Sequence, residues 1–270
     1  MSPDLLFLLS LALKMAVTAA FVVVASFIAE RSGPLIGAMI ATLPIAAGPS
    51  YVFLALDHDA QYLADSTVTS LASHAATGLL GITYVLLAQR CSLPLSLGGA
   101  LAVWTASAIA IRSVPWTVWT AIALNVVTYT MCVTVAERYL HVKMPLITRR
   151  WYDVPLRALL VACLVGTVVT LGLNVGPRIT GIFAVFPIVM VSLMLIMHPR
   201  IGGPANAALL ANTMVGLVGF GLCVLTLHVA AVPLGAPLAL TAALAVSIIA
   251  NITIWLFRRH GHARRMAALE

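Results

Sequence analysis

Lys14 lies roughly ten residues into an otherwise apolar run that spans positions 5–28. A cation at that depth of a membrane span is costly and marks a candidate binding group. Position 157, 143 residues later, holds a second cation, Arg157. Positive charge at both positions suits an anionic ligand approached from either side. Arg157 lies near a span end, where its side chain can also reach lipid phosphates. His74, in the middle of a third apolar run, offers either a hydrogen bond between helices or a group that titrates near neutral pH and carries a coupling proton. Asn212 is its expected counterpart.

These groups are set by a repeat. Gly33-Pro34-Leu35-Ile36-Gly37-Ala38-Met39-Ile40-Ala41-Thr42-Leu43-Pro44-Ile45 returns as Gly176-Pro177-Arg178-Ile179-Thr180-Gly181-Ile182-Phe183-Ala184-Val185-Phe186-Pro187-Ile188, with six of thirteen positions identical. Apolar composition matches an occasional Ala or Ile, but not two prolines in one frame. Each copy reads as a helix that opens at Gly-Pro (Gly33-Pro34, Gly176-Pro177) and breaks near its middle at Pro44 or Pro187. A break frees backbone groups, tolerated at membrane depth only against protein or a water-filled cavity. Paired interrupted helices are the sequence mark of a transporter's central site, and half-helix N-termini favour anions. Thr42, Gly48 and Ser50 flank the first break, and Met190 and Ser192 the second.

The chain of 270 residues is 62% hydrophobic and 9% charged, a composition that belongs to polytopic membrane proteins. Nine spans follow: 5–28, 34–56, 63–88, 94–111, 115–136, 154–174, 177–198, 204–229 and 234–257. The fourth and fifth form a hairpin through Arg112-Ser113-Val114, and Pro115 opens the fifth. The first run is too long for a cleavable leader. With the N-terminus outside, the inner connections and tail hold 12 of the 15 Lys and Arg and the outer ones 2, with Lys14 inside a span. This division follows the positive-inside rule. It places the protein in a bacterial inner membrane with the C-terminus cytoplasmic, and it accounts for the net charge of +7 without nucleic acid. The outer loop after the second span carries Asp57, Asp59 and Asp65.

The repeat extends past the breaks at a slightly smaller offset. His74-Ala75-Ala76-Thr77-Gly78-Leu79-Leu80-Gly81 aligns with Asn212-Thr213-Met214-Val215-Gly216-Leu217-Val218-Gly219, and Pro94-Leu95 with Pro233-Leu234. The expected fold is therefore all-α, with nine transmembrane helices as inverted repeats in a 4+1+4 arrangement, helices 2 and 7 broken by proline. Residues 1–112 form the first repeat and 113–153 a linker span with a basic inner loop. Residues 154–257 form the second, inverted repeat. Residues 258–270 form a basic cytoplasmic tail whose Leu269-Glu270 reads as a cloning scar. Gly78, Gly81, Gly216 and Gly219 let helices pack closely. Asn125, Asn174, Asn206 and Asn251 are expected to bond between helices.

No span interior contains Asp or Glu, which weighs against carboxylate-coupled pumping and against a carboxylate partner for Lys14. Four scattered cysteines and seven dispersed histidines suggest neither disulfide nor metal site, and no cofactor is expected. The reading is a secondary transporter or flippase that moves a small or amphipathic anion by alternating access, with membrane lipids around it and room for a homodimer. The alternatives are an intramembrane enzyme acting on lipid phosphates through Asp57, His58, Asp59 and Asp65, or a passive channel.

Overall fold

A computed structural model describes residues 3–31, 44, 47–140, 142 and 150–267. Gly33, Pro34, Thr42, most of the basic loop near Lys143 and Arg149, and Leu269-Glu270 lie outside them. The described residues form helices and connections with no strand. The helices are α1 (Pro3–Arg31), α2 (Ala47–Asp57), α3 (Ala60–Leu87), α4 (Leu93–Arg112) and α5 (Val118–Ala136) in the first half of the chain. They continue as α6 (Asp153–Asn174), α7 (Pro177–Ala184), α8 (Ile188–Ile201), α9 (Gly203–Leu234) and α10 (Ala236–Ala267). With α7 and α8 counted together, eight spans among the described residues are long and apolar enough to cross a membrane. This is the build of a polytopic helical membrane protein.

The core is organised on α3. It is the least apolar of the eight spans and the most buried, because its neighbours are protein on most sides: α4, α5, α7 and α9 all pack against it. Its serines and threonines can therefore face other helices, where a lipid-facing span would have Leu and Val. Helix α1 lies on α6, and α9 on α10.

The helix directions follow from the contacts. Along α3, Ala64 meets His228, His74 meets Leu217, Tyr84 meets Asn206 and Ala88 meets Gly203, so α9 runs antiparallel to α3. Tyr62, Ser70, Thr77 and Tyr84 meet Thr180, Gly181, Val185 and His198 in that order, so α7 and α8 run parallel to α3.

Several boundaries differ from the expected spans. Asp57 is the last residue of α2, not a loop residue. Helix α5 begins at Val118, because Thr117 caps it by accepting from the Thr120 N–H while Thr120 bonds back, which leaves Pro115 in the connection. Helix α9 runs to Leu234 with Pro233 inside its last turn, and Gly235, at φ 77°, turns the chain into α10.

Ala60 and Gly203 open α3 and α9, and Leu93 and Ala236 open α4 and α10, each pair 143 positions apart. At that spacing Pro94-Leu95 falls on Pro237-Leu238, and His74 on Leu217, whereas the sequence matches paired them with Pro233-Leu234 and Asn212.

Candidate functional site

The second proline frame is broken as expected. Gly176 takes φ 87°, a conformation that favours glycine, and Pro177 opens α7. The helix stops at Ala184, and Val185, Phe186 and Pro187 stand outside before α8 begins. Pro187 has no N–H to donate. The Phe186 N–H instead reaches the Phe183 carbonyl at 3.0 Å, and Val191 N donates to Pro187 O at 3.0 Å to start α8.

The carbonyls freed by the break are taken by α3. Ser70 Oγ donates to Gly181 O at 2.8 Å, and Thr77 Oγ1 to Val185 O at 3.3 Å. Ser66, Ser70, Ser73 and Thr77 are spaced four, three and four apart, so they lie on one face of α3. Sequence reading missed this hydroxyl stripe, although that spacing was its signal. Trp104 of α4 closes the break from another side, edge-on to Phe186 at 4.7 Å between centroids. Ser70→Ala would leave the Gly181 carbonyl unpartnered. Thermal unfolding in detergent should show a loss on the order of 1 kcal/mol, and less for Thr77→Val, whose bond is longer.

At the first frame, Pro44 also stands outside a helix. Gly48 N donates to Pro44 O at 2.7 Å, the same four-residue step as Val191 to Pro187. The upstream half of this predicted helix lies outside the described residues. Ser50 is fully buried and Tyr51 nearly so. The hydroxyls of Ser50, Ser73 and Ser247 and the indole N–H of Trp104 find no partner among the described residues. Gly48 is not a close-approach site: an added Cβ would meet nothing within 4 Å.

Lys14 faces protein, not lipid, and here the expectation that no carboxylate could neutralise it is overturned. Its ammonium pairs with both carboxylate oxygens of Asp57 at 2.5 Å and lies 5.8 Å from the centre of the Phe53 ring. Asp57 was assigned to a solvated loop; as the C-terminal residue of α2 it is carried back to α1. A second pair mirrors this one. Asp153, which opens α6, accepts from Arg200 Nη1 at 3.0 and 2.8 Å, near the end of α8. Asp57 and Arg200 are themselves 143 positions apart. One salt bridge joins α1 to the end of α2 and the other joins α6 to the last turn of α8, with the charges exchanged. Arg157 is half-buried on α6, one turn beyond Asp153.

The remaining candidates separate. His74 is buried where α3 crosses α9, with Nε2 2.8 Å from Leu217 O and Nδ1 3.3 Å from the Tyr129 hydroxyl. Both ring nitrogens are engaged between helices. Asn212 is exposed and bonds the Ala208 carbonyl of its own helix, so it does not join His74. Ser192 is buried and donates to Val189 O within α8. Asn125 and Asn206 bond between helices as expected, to Leu71 O and to the Tyr84 hydroxyl, whereas Asn174 bonds within α6. Gly78 and Gly81 pack against Tyr129 and Met214, and Gly219 against Asn251. A cavity of about 520 Å³ lies beside His74, Asn125 and Tyr129 between α3, α5 and α9.

The other acidic residues at the junction of α2 and α3 hold separate structural posts. Asp59 caps α3 by accepting from Tyr62 N, Asp65 accepts from Gln61, and His58 stacks on Tyr62 at 3.8 Å. All four cysteines are free thiols, and no metal-ligating group of three occurs among the described residues.

The fold and this arrangement define a polytopic helical membrane protein with a broken helix seated on a buried hydroxyl stripe. No known protein family, curated protein or solved structure matches the chain.

Proposed function

We propose that the protein is a secondary transporter or flippase that moves a small or amphipathic anion by alternating access. Two inverted four-helix halves would be joined by α5, with the N-terminus outside and the C-terminus cytoplasmic. The observation that carries the reading is the break at Pro187, whose frame Pro44 shares in the sequence, together with the spacing of 143 positions between the starts of α3 and α9 and of α4 and α10. The antiparallel course of α3 and α9 supports inversion. So does the contact of His74 with Leu217, its own counterpart, since counterparts touch only on a two-fold axis. Between such halves a substrate site belongs at the breaks.

The chemistry around the breaks suits an anion. The buried hydroxyls of Ser50, Ser73 and Ser247 and the indole N–H of Trp104 have no partner among the described residues, and the carboxylates of α2, α3, α7 and α8 are Asp57, the last residue of α2, and Asp65, in the second turn of α3. The Lys14–Asp57 pair then works by exchange: the anion replaces the Asp57 carboxylate at Lys14 on entering or leaving.

Purified protein in liposomes tests this with a panel of labelled carboxylates, organic phosphates and short-chain anionic lipids. Protein-dependent flux without chemical change supports the carrier, and product formation supports the enzyme instead. For a transported anion, Lys14→Ala should cut uptake at least tenfold, about 1.4 kcal/mol of binding. Lys14→Arg should retain part of it. Asp57→Asn should lower the concentration for half-maximal uptake, because the competing carboxylate is gone. Normal flux in Lys14→Ala removes Lys14 from the mechanism.

A further inference from the structure

We infer that His198, Tyr84 and Asn206 form a proton-binding relay at the joint between the broken helix and α9. Tyr84 is fully buried near the end of α3, and Asn206 is fully buried in the first turns of α9. His198, in the last turn of α8, is only half-buried and so can exchange protons with water. Asn206 Nδ2 donates to the Tyr84 hydroxyl at 2.7 Å, and that hydroxyl lies 2.6 Å from His198 Nδ1. Asn206 Oδ1 is buried with no donor among the described residues.

The hydrogen positions follow. The Tyr84 oxygen accepts from Asn206, so its own proton points to His198 Nδ1, and the neutral ring carries its hydrogen on Nε2. When the ring takes up a proton, Nδ1 also becomes a donor and Tyr84 must turn its O–H away. The acceptor within reach is Asn206 Oδ1, once the amide has rotated by half a turn. The chain then runs His198 N–H to Tyr84 oxygen and Tyr84 O–H to Asn206 Oδ1. One proton is gained from water, no other bond to hydrogen is broken, and the unmatched acceptor of the first state becomes the matched acceptor of the second.

The site sits on a tight joint. Gly202, at φ 82°, turns α8 into α9. A Cβ at Gly203 would fall 2.1 Å from Ala88 O and 3.2 Å from His198 Cε1, so a change at His198 bears directly on the α3–α9 contact. Charged and titratable groups reach it from several elements, and the short turn Glu137–Tyr139 that follows α5 packs against α9 and brings Glu137, Arg138 and Tyr139. Arg200 on α8 is held by Asp153 of α6, and α6 adds Arg157. Arg90 and Cys91 lie in the α3–α4 connection. Cys223 and His228 of α9 and Arg112 of α4 are roughly 25 Å or more along their helices.

The relay stands on these contacts alone; its coupling to flux rests on the carrier reading above. Nitrogen-15 spectra of histidine-labelled protein in lipid nanodiscs, taken between about pH 5 and pH 8, test the relay, with His198→Gln identifying the signal. The unsubstituted protein should show a neutral ring protonated at Nε2 that becomes doubly protonated on acidification. Asn206→Asp, which supplies a standing acceptor for the Tyr84 proton, should keep the doubly protonated ring to about one pH unit higher, a tenfold change. Tyr84→Phe combined with Asn206→Asp should abolish most of that change. A neutral ring protonated at Nδ1, or an Asn206→Asp change that persists in full without the Tyr84 hydroxyl, overturns the relay. In liposomes, an imposed pH gradient should drive anion uptake by the unsubstituted protein and not by His198→Gln. Uptake that ignores the gradient, with the spectra as expected, removes the coupling and leaves the relay standing.

Discussion

Asp153→Ala should lower stability by a few kcal/mol, because it removes the carboxylate that pairs with the Arg200 guanidinium in the protein interior. The two side chains are only 8% and 10% exposed, so water replaces the carboxylate poorly. Arg200→Ala should cost less, because Asp153 keeps the Arg150 N–H as a donor. The informative variant is the double one, Asp153→Ala with Arg200→Leu, which removes both charges and should recover most of the loss. Thermal unfolding in detergent, followed by the onset of aggregation on size exclusion, measures all three. A double variant as unstable as either single one would show that the pair is not the unit that matters. The Lys14–Asp57 pair is more exposed, at 15% and 19%, and its loss should cost less stability than its counterpart.

Gly181→Val should separate α7 from α3 and destabilise the protein by about 1–3 kcal/mol from overpacking, with the loss of the bonds at the break added to it. Even a methyl carbon at Gly181 would fall 2.1 Å from the Ser66 carbonyl oxygen, which is backbone and cannot swing aside. Relief requires the whole helix to move. That movement breaks the Ser70–Gly181 and Thr77–Val185 bonds and leaves two freed carbonyls without donors. Gly48→Ala is the matched control. It too is a glycine near a frame proline, four residues past Pro44, but its added carbon meets nothing within 4 Å, so stability should be unchanged or slightly raised. If Gly181→Val unfolds no earlier than Gly48→Ala, the close seating of the broken helix on α3 is not a source of stability.

Local chemistry alone made much of this architecture legible. Apolar runs of membrane length gave the helices, because a chain without water must bond its backbone within each segment. The break at Pro187 was legible because proline removes a donor wherever it sits, and the matched Gly-Pro frames are a feature of the sequence alone. The seating of that break was not legible. The hydroxyls of Ser70 and Thr77 are more than a hundred residues from the carbonyls they reach, and no local rule assigns a polar stripe to one neighbour among four. Asp57 shows the limit most clearly. Its composition and position read as a solvated loop, and a carboxylate in water has no reason to seek Lys14. Only the tertiary structure, by ending α2 at Asp57 and laying α2 beside α1, brings the charges to 2.5 Å and turns a lone buried cation into half of an ion pair. Charge pairing depends on distance through space, and distance through space is what a linear sequence leaves open.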